Sequence, residues 1–213
     1  MIRVKICGVT TIEDALLAAE LGASAIGLVF WPGSPRVVAR EQAQAIVAAL
    51  PPFVSAVGVF VDQQDEAAQI ARETGLTVVQ FHGDEPPGSY RAFPVRVIKA
   101  ITVRDASARE EAAMVPAGAT VLLDAHDRVT RGGTGRTIDW SIASMIARER
   151  RVILSGGLNA ANVADAVEAV QPYAIDVSSG VESARGRKDP VKLRALFAAL
   201  RAADCADHAE LDI

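Results

Sequence analysis

"RVKICGVTTIEDALLAAELGASAIGLVF", residues 3–30, holds the pattern on which the fold turns. Arg3, Lys5 and Cys7 share one face of an extended segment, while Ile2, Val4 and Ile6 share the other. Thr11 then stands as a helix N-cap, "TIEDALLAAELG" reads as a helix, and Gly22 supplies its C-terminal stop. A second apolar run, Ala25–Phe30, follows at once. Strand, helix and strand in so short a span make a βαβ unit, which pairs its strands in parallel.

The same alternation runs to the end of the chain. Further strands are predicted at Ser55–Val61, Val78–His82, Arg96–Ile101, Thr120–Asp124, Val152–Ser155 and Ala174–Ser178. Alanine-rich helical patterns lie between them, with Asn159 expected as an N-cap and Gly75 as a C-terminal stop. The crossover over Asp84–Phe93 is short and holds Pro86 and Pro87, so its helical pattern is weak. Eight strand–helix units in 213 residues without a linker predict an α/β chain folded as a single-domain (β/α)8 TIM barrel. An open doubly wound sheet is the alternative. Residues 1–201 are expected to form the barrel and 202–213 a polar C-terminal tail.

Composition narrows the function classes. Half the residues are hydrophobic, enough for one sizeable core, and no run is long enough to span a membrane. A net charge of -4 without a basic stripe argues against nucleic-acid or membrane-surface binding. No signal-peptide pattern opens the chain, so a cytoplasmic protein is expected. Cys7 and Cys205 lie at opposite ends, and the histidines at 82, 126 and 208 are scattered; neither a disulfide framework nor a metal site is indicated.

In a barrel of this kind, reactive groups sit at the C-terminal ends of the strands and in the loops that follow. Here the strands end on Cys7, Phe30, Asp62, His82, Lys99, Asp124, Ser155 and Ser178, whereas their middles are mostly aliphatic. "LSGGLNAANV", 154–163, and "DVSSGVES", 176–183, place glycine-rich turns after strands 7 and 8. Exposed N–H groups in such turns favour a phosphate, with Gly156, Gly157, Ser179 and Gly180 as the candidates. Neither turn matches a Walker loop or GxGxxG, so no nucleotide is indicated. "RGGTGRTIDW", 131–140, reads as a lid loop after strand 6, with Asp139 capping the next helix.

Thr120, Leu122 and Asp124 fall on one face of strand 6, which turns Asp124 inward toward Cys7 as a potential acid and base pair. Lys5, on the same face as Cys7, is expected to lower the thiol pKa. Arg36, in "FWPGSPRVV", could grip a substrate carboxylate with two prongs, or be a solvated surface residue. His82 could be a base, a ligand or a satisfied loop residue, the last being the default, and Arg3 reads as one half of a buried ion pair near the barrel floor.

Taken in order, "KICGVT" (5–10), "GLVFWPGSPR" (27–36), "VGVFVDQ" (57–63), "VVQFHGDE" (78–85), "VIKAI" (97–101), "LLDA" (122–125), "GGTGRTIDW" (132–140), "LSGGLNAANV" and "DVSSGVES" with "GRKD" (186–189) resemble the phosphoribosylanthranilate isomerases of tryptophan biosynthesis. The likeness runs from residue 2 to about residue 200. It implies a barrel that converts N-(5-phosphoribosyl)anthranilate into 1-(2-carboxyphenylamino)-1-deoxyribulose 5-phosphate by a cofactor-free Amadori rearrangement. By position it implies Cys7 as general base, Asp124 as general acid, Arg36 on the anthranilate carboxylate, and Gly156, Gly157, Ser179 and Gly180 around the phosphate. Lys5, His82 and Asp176 become expected substrate contacts. The chain departs from the family where Asp62 replaces a frequent Asn, Phe81 a frequent Leu and Arg136 the usual Lys. The expected partner is a small phosphosugar, with no nucleic acid, membrane or metal; a monomer is preferred and a homodimer is the other option. Two other readings stand beside this one. A lyase-type barrel needs a lysine acid and a glutamate base, and no strand ends in Glu. A barrel that only binds phosphosugars has no need for Cys7, Asp124 and Arg36 together.

Overall fold

Eight parallel strands close on themselves in sequence order, β1 to β8. They are β1 Arg3–Cys7, β2 Ala25–Val29, β3 Ser55–Phe60, β4 Val78–Phe81, β5 Arg96–Thr102, β6 Ala119–Asp124, β7 Val152–Leu154 and β8 Ala174–Val177. This is a computed structural model that describes residues 2–86, 88, 93–125 and 138–209. Helices on the outside are α1 Ile12–Leu21, α2 Arg40–Ala49, α3 Gln64–Thr74, α4 Ser107–Met114, α5 Trp140–Glu149, α6 Val163–Val170 and α7 Pro190–Ala209. A two-stranded hairpin, β9 Glu182–Ala184 with β10 Arg187–Lys188, stands between β8 and α7. The closed order excludes the open doubly wound sheet.

Alternation along each strand sorts the side chains. Val4 and Ile6, Val79 and Phe81, and Val121 and Leu123 pack outward in the large cluster shared with the helices. Val57, Ile98, Leu122, Ile153 and Ala174 fill the barrel interior. Above them, Cys7, Val29 and Val59 form a small cluster with Trp31. Phe81 has its ring against Phe60 and Phe93, so the larger side chain at this position serves the outer core.

Local chemistry sets the ends. Thr11 caps α1 by accepting from the Asp14 N–H, and Gly22 and Gly75 close α1 and α3 in the left-handed conformation. Asp139 caps α5 by accepting from the Ser141 N–H. Asn159 behaves differently from expectation: α6 begins at Val163, and the Asn159 side chain instead accepts from the Ala161 N–H in the preceding turn. Arg3 also corrects its reading. It is exposed at the start of β1 with its guanidinium 4.6 Å from the Tyr173 ring centroid, a cation–π contact at the rim and not a buried ion pair. Residues 87, 89–92 and 126–137 lie outside the described residues, so half of the proline-bearing crossover, His126, Arg136 and the glycines of the expected lid do too. The expected tail continues α7 to Ala209. No described helix is long and apolar enough to cross a membrane.

Candidate active site

Closure of the barrel brings β1 beside β8, with Lys5 opposite Asp176. The Lys5 ammonium donates to both Asp176 oxygens at 3.0 Å, and both residues are buried. Burial alone pushes that ammonium down; Asp176 and the Cys7 thiol more than offset it, and its pKa is raised. Cys7 follows one residue pair further up. Gly27 on β2 faces it, and a side chain there would begin 2.9 Å from the sulfur, so the glycine makes room for the thiol.

Lys5 does pull the Cys7 thiol down, as expected, but it does not set the net direction. Burial pushes the thiol up, Lys5 pulls it down and Asp176 pushes it up again, leaving the pKa above its ordinary value. The physical reason is first of all burial, which outweighs the pull of Lys5, and the Asp176 carboxylate paired with Lys5 adds to the rise.

Asp124 projects inward from the end of β6, where Oδ1 accepts from the Ala125 N–H at 2.9 Å. Its Oδ2 lies 3.2 Å from Nε2 of His82, which extends from the end of β4. His82 Nδ1 lies 3.0 Å from the amide nitrogen of Gln80, buried two residues earlier on the same face. His82 is therefore held in the site by Asp124 and Gln80. Lys99 plays a different part. Its ammonium donates to the Gly83 carbonyl at 2.5 Å and to Glu85 at 2.8 Å. Glu85 in turn accepts from the N–H groups of Asp62 and Gly83. Lys99 thus shapes the loop after β4.

Arg36 is buried, which overturns the solvated surface reading. Its Nε and Nη2 donate to Glu182 at 2.8 and 2.7 Å, one complete edge of the guanidinium fork. Glu182 also accepts from the Lys188 ammonium at 3.0 Å. Burial pushes the Glu182 carboxyl up, but Arg36 and Lys188 together hold it below its usual range. The Glu182 hydrogen bond is the main reason the Arg36 guanidinium lies above its usual range.

The turns after β7 and β8 meet. Gly156 and Gly157 both take positive φ, 93° and 63°, in which glycine alone is unstrained. Asn159 and Asn162 donate to the Gly157 carbonyl at 3.2 and 3.1 Å and so fix the turn. Ser179 and Gly180 open a single 3-10 turn over Ser179–Val181, where the first N–H groups have no partner within the turn. A side chain at Gly180 would begin 1.9 Å from the Leu158 carbonyl oxygen, so this glycine lets the two turns close on one another.

The structure thus gathers Cys7, Lys5, Asp176 and Arg36 at one side of the mouth and joins Asp124 to His82. Gly156, Gly157, Ser179 and Gly180 come together in the adjoining turns. Gly27, Gln80, Glu182 and Lys188 were not singled out from the sequence. The last two lie in "GVES" and "GRKD", whose charged residues follow the glycine-bearing turn after β8 without any local sign of what they bind.

A family model described as N-(5'-phosphoribosyl)anthranilate isomerase matches residues 4–199. A curated N-(5'-phosphoribosyl)anthranilate isomerase from Pelobacter propionicus is 49% identical over 195 residues, covering 91% of this chain and 93% of its own. The crystal structure of phosphoribosyl anthranilate isomerase from Thermus thermophilus superposes with a TM-score of 0.85 at 45% identity, covering 94% of this chain and 98% of that one. A further solved phosphoribosyl anthranilate isomerase, in complex with reduced 1-(o-carboxyphenylamino)-1-deoxyribulose 5-phosphate, has a TM-score of 0.85 at 40% identity, with 95% and 100% coverage.

Proposed function

The chain belongs to the N-(5'-phosphoribosyl)anthranilate isomerase family, and from that premise we propose how its residues divide the work. It isomerises N-(5'-phosphoribosyl)anthranilate in tryptophan biosynthesis, in the cytoplasm, with Asp124 as general acid and Cys7 as general base. The observation that carries this reading is the shared mouth: inward-facing Cys7 and Asp124 end β1 and β6, and glycine-rich turns follow β7 and β8.

Asp124 donates a proton to the furanose ring oxygen as the C1′–O bond breaks and the anthranilate nitrogen forms a Schiff base. The Cys7 thiolate then removes the C2′ proton, and the resulting enolamine tautomerises to the aminoketose. Burial pushes the thiol pKa up, and Lys5 and Lys188 are the cations that lower the cost of the thiolate. The turns at Gly156–Gly157 and Ser179–Gly180 hold the phosphate through backbone N–H groups. Arg36, with its Nε and Nη2 edge fixed by Glu182, turns its Nη1 toward the anthranilate carboxylate. Anchors at both ends place the reacting carbons between acid and base, a large part of the rate enhancement.

The test follows the loss of phosphoribosylanthranilate fluorescence. Cys7→Ser and Asp124→Asn are each expected to lose about 10²-fold or more in kcat, the scale of general acid–base catalysis. Both should still bind the reduced product analogue. Normal turnover by both variants overturns the assignment.

A further inference from the structure

"GRKD", 186–189, buries a lysine that the acid–base scheme above does not use as acid, base or substrate contact. The Lys188 side chain is 0% exposed and all three of its donors are engaged. They reach the Cys7 carbonyl at 2.6 Å, the Ser178 carbonyl at 3.2 Å and Glu182 Oε1 at 3.0 Å. Those acceptors belong to three different parts of the site. The first is the residue that carries the thiol, the second precedes the phosphate turn, and the third aims Arg36.

We propose that Lys188 is a positioning residue that ties the Cys7 backbone, the start of the phosphate turn and the Arg36–Glu182 clamp to one buried ammonium. This rests on the reading of Cys7 and Arg36 given above. The hairpin that delivers Lys188 is itself pinned. Its backbone N–H donates to Asp14 at 3.0 Å, and the Thr10 hydroxyl donates to the Gly186 carbonyl at 2.6 Å. A shift in any of the three loops is therefore felt by the others.

Charge makes the arrangement more than a brace. Arg36 and Lys188 are two buried cations sharing one carboxylate, Glu182. The trio carries one positive charge in excess, beside a Lys5–Asp176 pair that is neutral. A buried excess charge is costly until an anion joins it. Two anions of the proposed reaction can do so, the Cys7 thiolate and the substrate carboxylate on Arg36. Burial pushes the Lys188 ammonium below its ordinary pKa, as expected for a cation with only a shared partner.

The experiment uses the whole chain with Lys188→Met, which keeps the apolar stem and removes the ammonium. Alkylation of Cys7 by iodoacetamide is followed across pH by the mass of its peptide, which separates it from Cys205. The charged groups facing the thiol are Lys5, Asp176, Lys188 and Arg36, and only Lys188 is changed. The pH of half-maximal alkylation should rise by at least about half a unit. Binding of the reduced product analogue should weaken about tenfold as the Arg36 clamp loosens. A folded variant with a lower Tm, but with alkylation profile and affinity unchanged, overturns the proposal and leaves Lys188 a structural residue. If Lys188→Met does not fold, Lys188→Gln, which keeps two N–H donors for the carbonyls without the charge, is read on the same two scales: the same shifts support the proposal, and unchanged values overturn it. Alkylation reports the thiol whether or not it is the base, and turnover of Cys7→Ser tests the base, so the two readings fail separately.

Discussion

Replacing Gly180 by alanine adds one carbon where the turns after β7 and β8 touch. Its Cβ would begin 1.9 Å from the Leu158 carbonyl oxygen, 2.9 Å from the Leu158 carbonyl carbon and 3.1 Å from the Asn159 Cβ. The oxygen is about 1.5 Å inside ordinary contact distance, and it is backbone, so the turns themselves must part. Overpacking of this kind costs about 1–3 kcal/mol of stability. The functional cost should be larger, because the N–H groups proposed to hold the phosphate sit in those turns. A misplacement of about 1 Å costs on the order of 10²-fold in kcat/KM. The control is Gly118→Ala, which meets nothing within 4 Å and lies before β6 at the opposite end of the barrel. Steady-state fluorescence gives kcat/KM for both variants. Binding of the reduced product analogue with and without its 5-phosphate locates the loss, since only the phosphorylated form should weaken. Gly180→Ala that folds and binds the phosphorylated analogue to within about twofold of the parent refutes the phosphate reading of these turns.

Two further expectations concern charge. Because the Cys7 pKa is raised in the fold, the folded chain keeps a proton that the unfolded chain releases above about pH 9.0. That contribution is fully present below the ordinary thiol range and is lost as pH rises toward the raised value, so Cys7→Ser should show a shallower alkaline fall in urea-unfolding stability; an equal or steeper fall contradicts the shift. Asp62 sits at φ 54° and its Oδ1 accepts from the Asp84 N–H at 2.7 Å, a role that Asn fills equally well. Asp62→Asn should change stability by less than about 0.5 kcal/mol and Asp62→Ala should cost about 1 kcal/mol; equal losses on thermal unfolding would show that the charge, not the geometry, is what matters.

The barrel was legible because its signals are local and repeated. Period-two alternation, Thr11, Gly22 and Gly75 each act within a few residues, and all stand where the sequence placed them. Asp124 was legible for the same reason, since the aliphatic partners Val121 and Leu123 leave it only the inner face. Partners distant in sequence were not. Arg36 and Glu182 are 146 positions apart, and Lys5 and Asp176 are 171 apart, so only barrel closure makes them neighbours. The Cys7 thiol was misjudged mainly because its full burial, the largest cause of its raised pKa, shows only in the closed barrel, and the Asp176 carboxylate beside Lys5 adds to the rise. Asn159 failed on a smaller scale, because a second asparagine at 162 shares the turn and delays the helix.

The proposed division of labour puts one demand on Asp124, which must carry a proton to act as the acid. The Gln80 amide nitrogen faces His82 Nδ1, which makes Nδ1 an acceptor and Nε2 a donor to Asp124 Oδ2. That arrangement suits a carboxylate. The Gln80 carbonyl oxygen is meanwhile buried without a hydrogen-bond partner among the described residues. A half-turn of the amide reverses the relay and leaves the NH2 group, in place of the oxygen, at the unpartnered position. The Gln80 oxygen then accepts from Nδ1–H, Nε2 becomes an acceptor, and a protonated Asp124 Oδ2 donates to it. Amide orientation at this position is a matter of two nearly isosteric choices, and the two correspond to the two protonation states of the acid. Gln80, on the floor of the site, is thus able to hold Asp124 in place both before and after it gives up its proton.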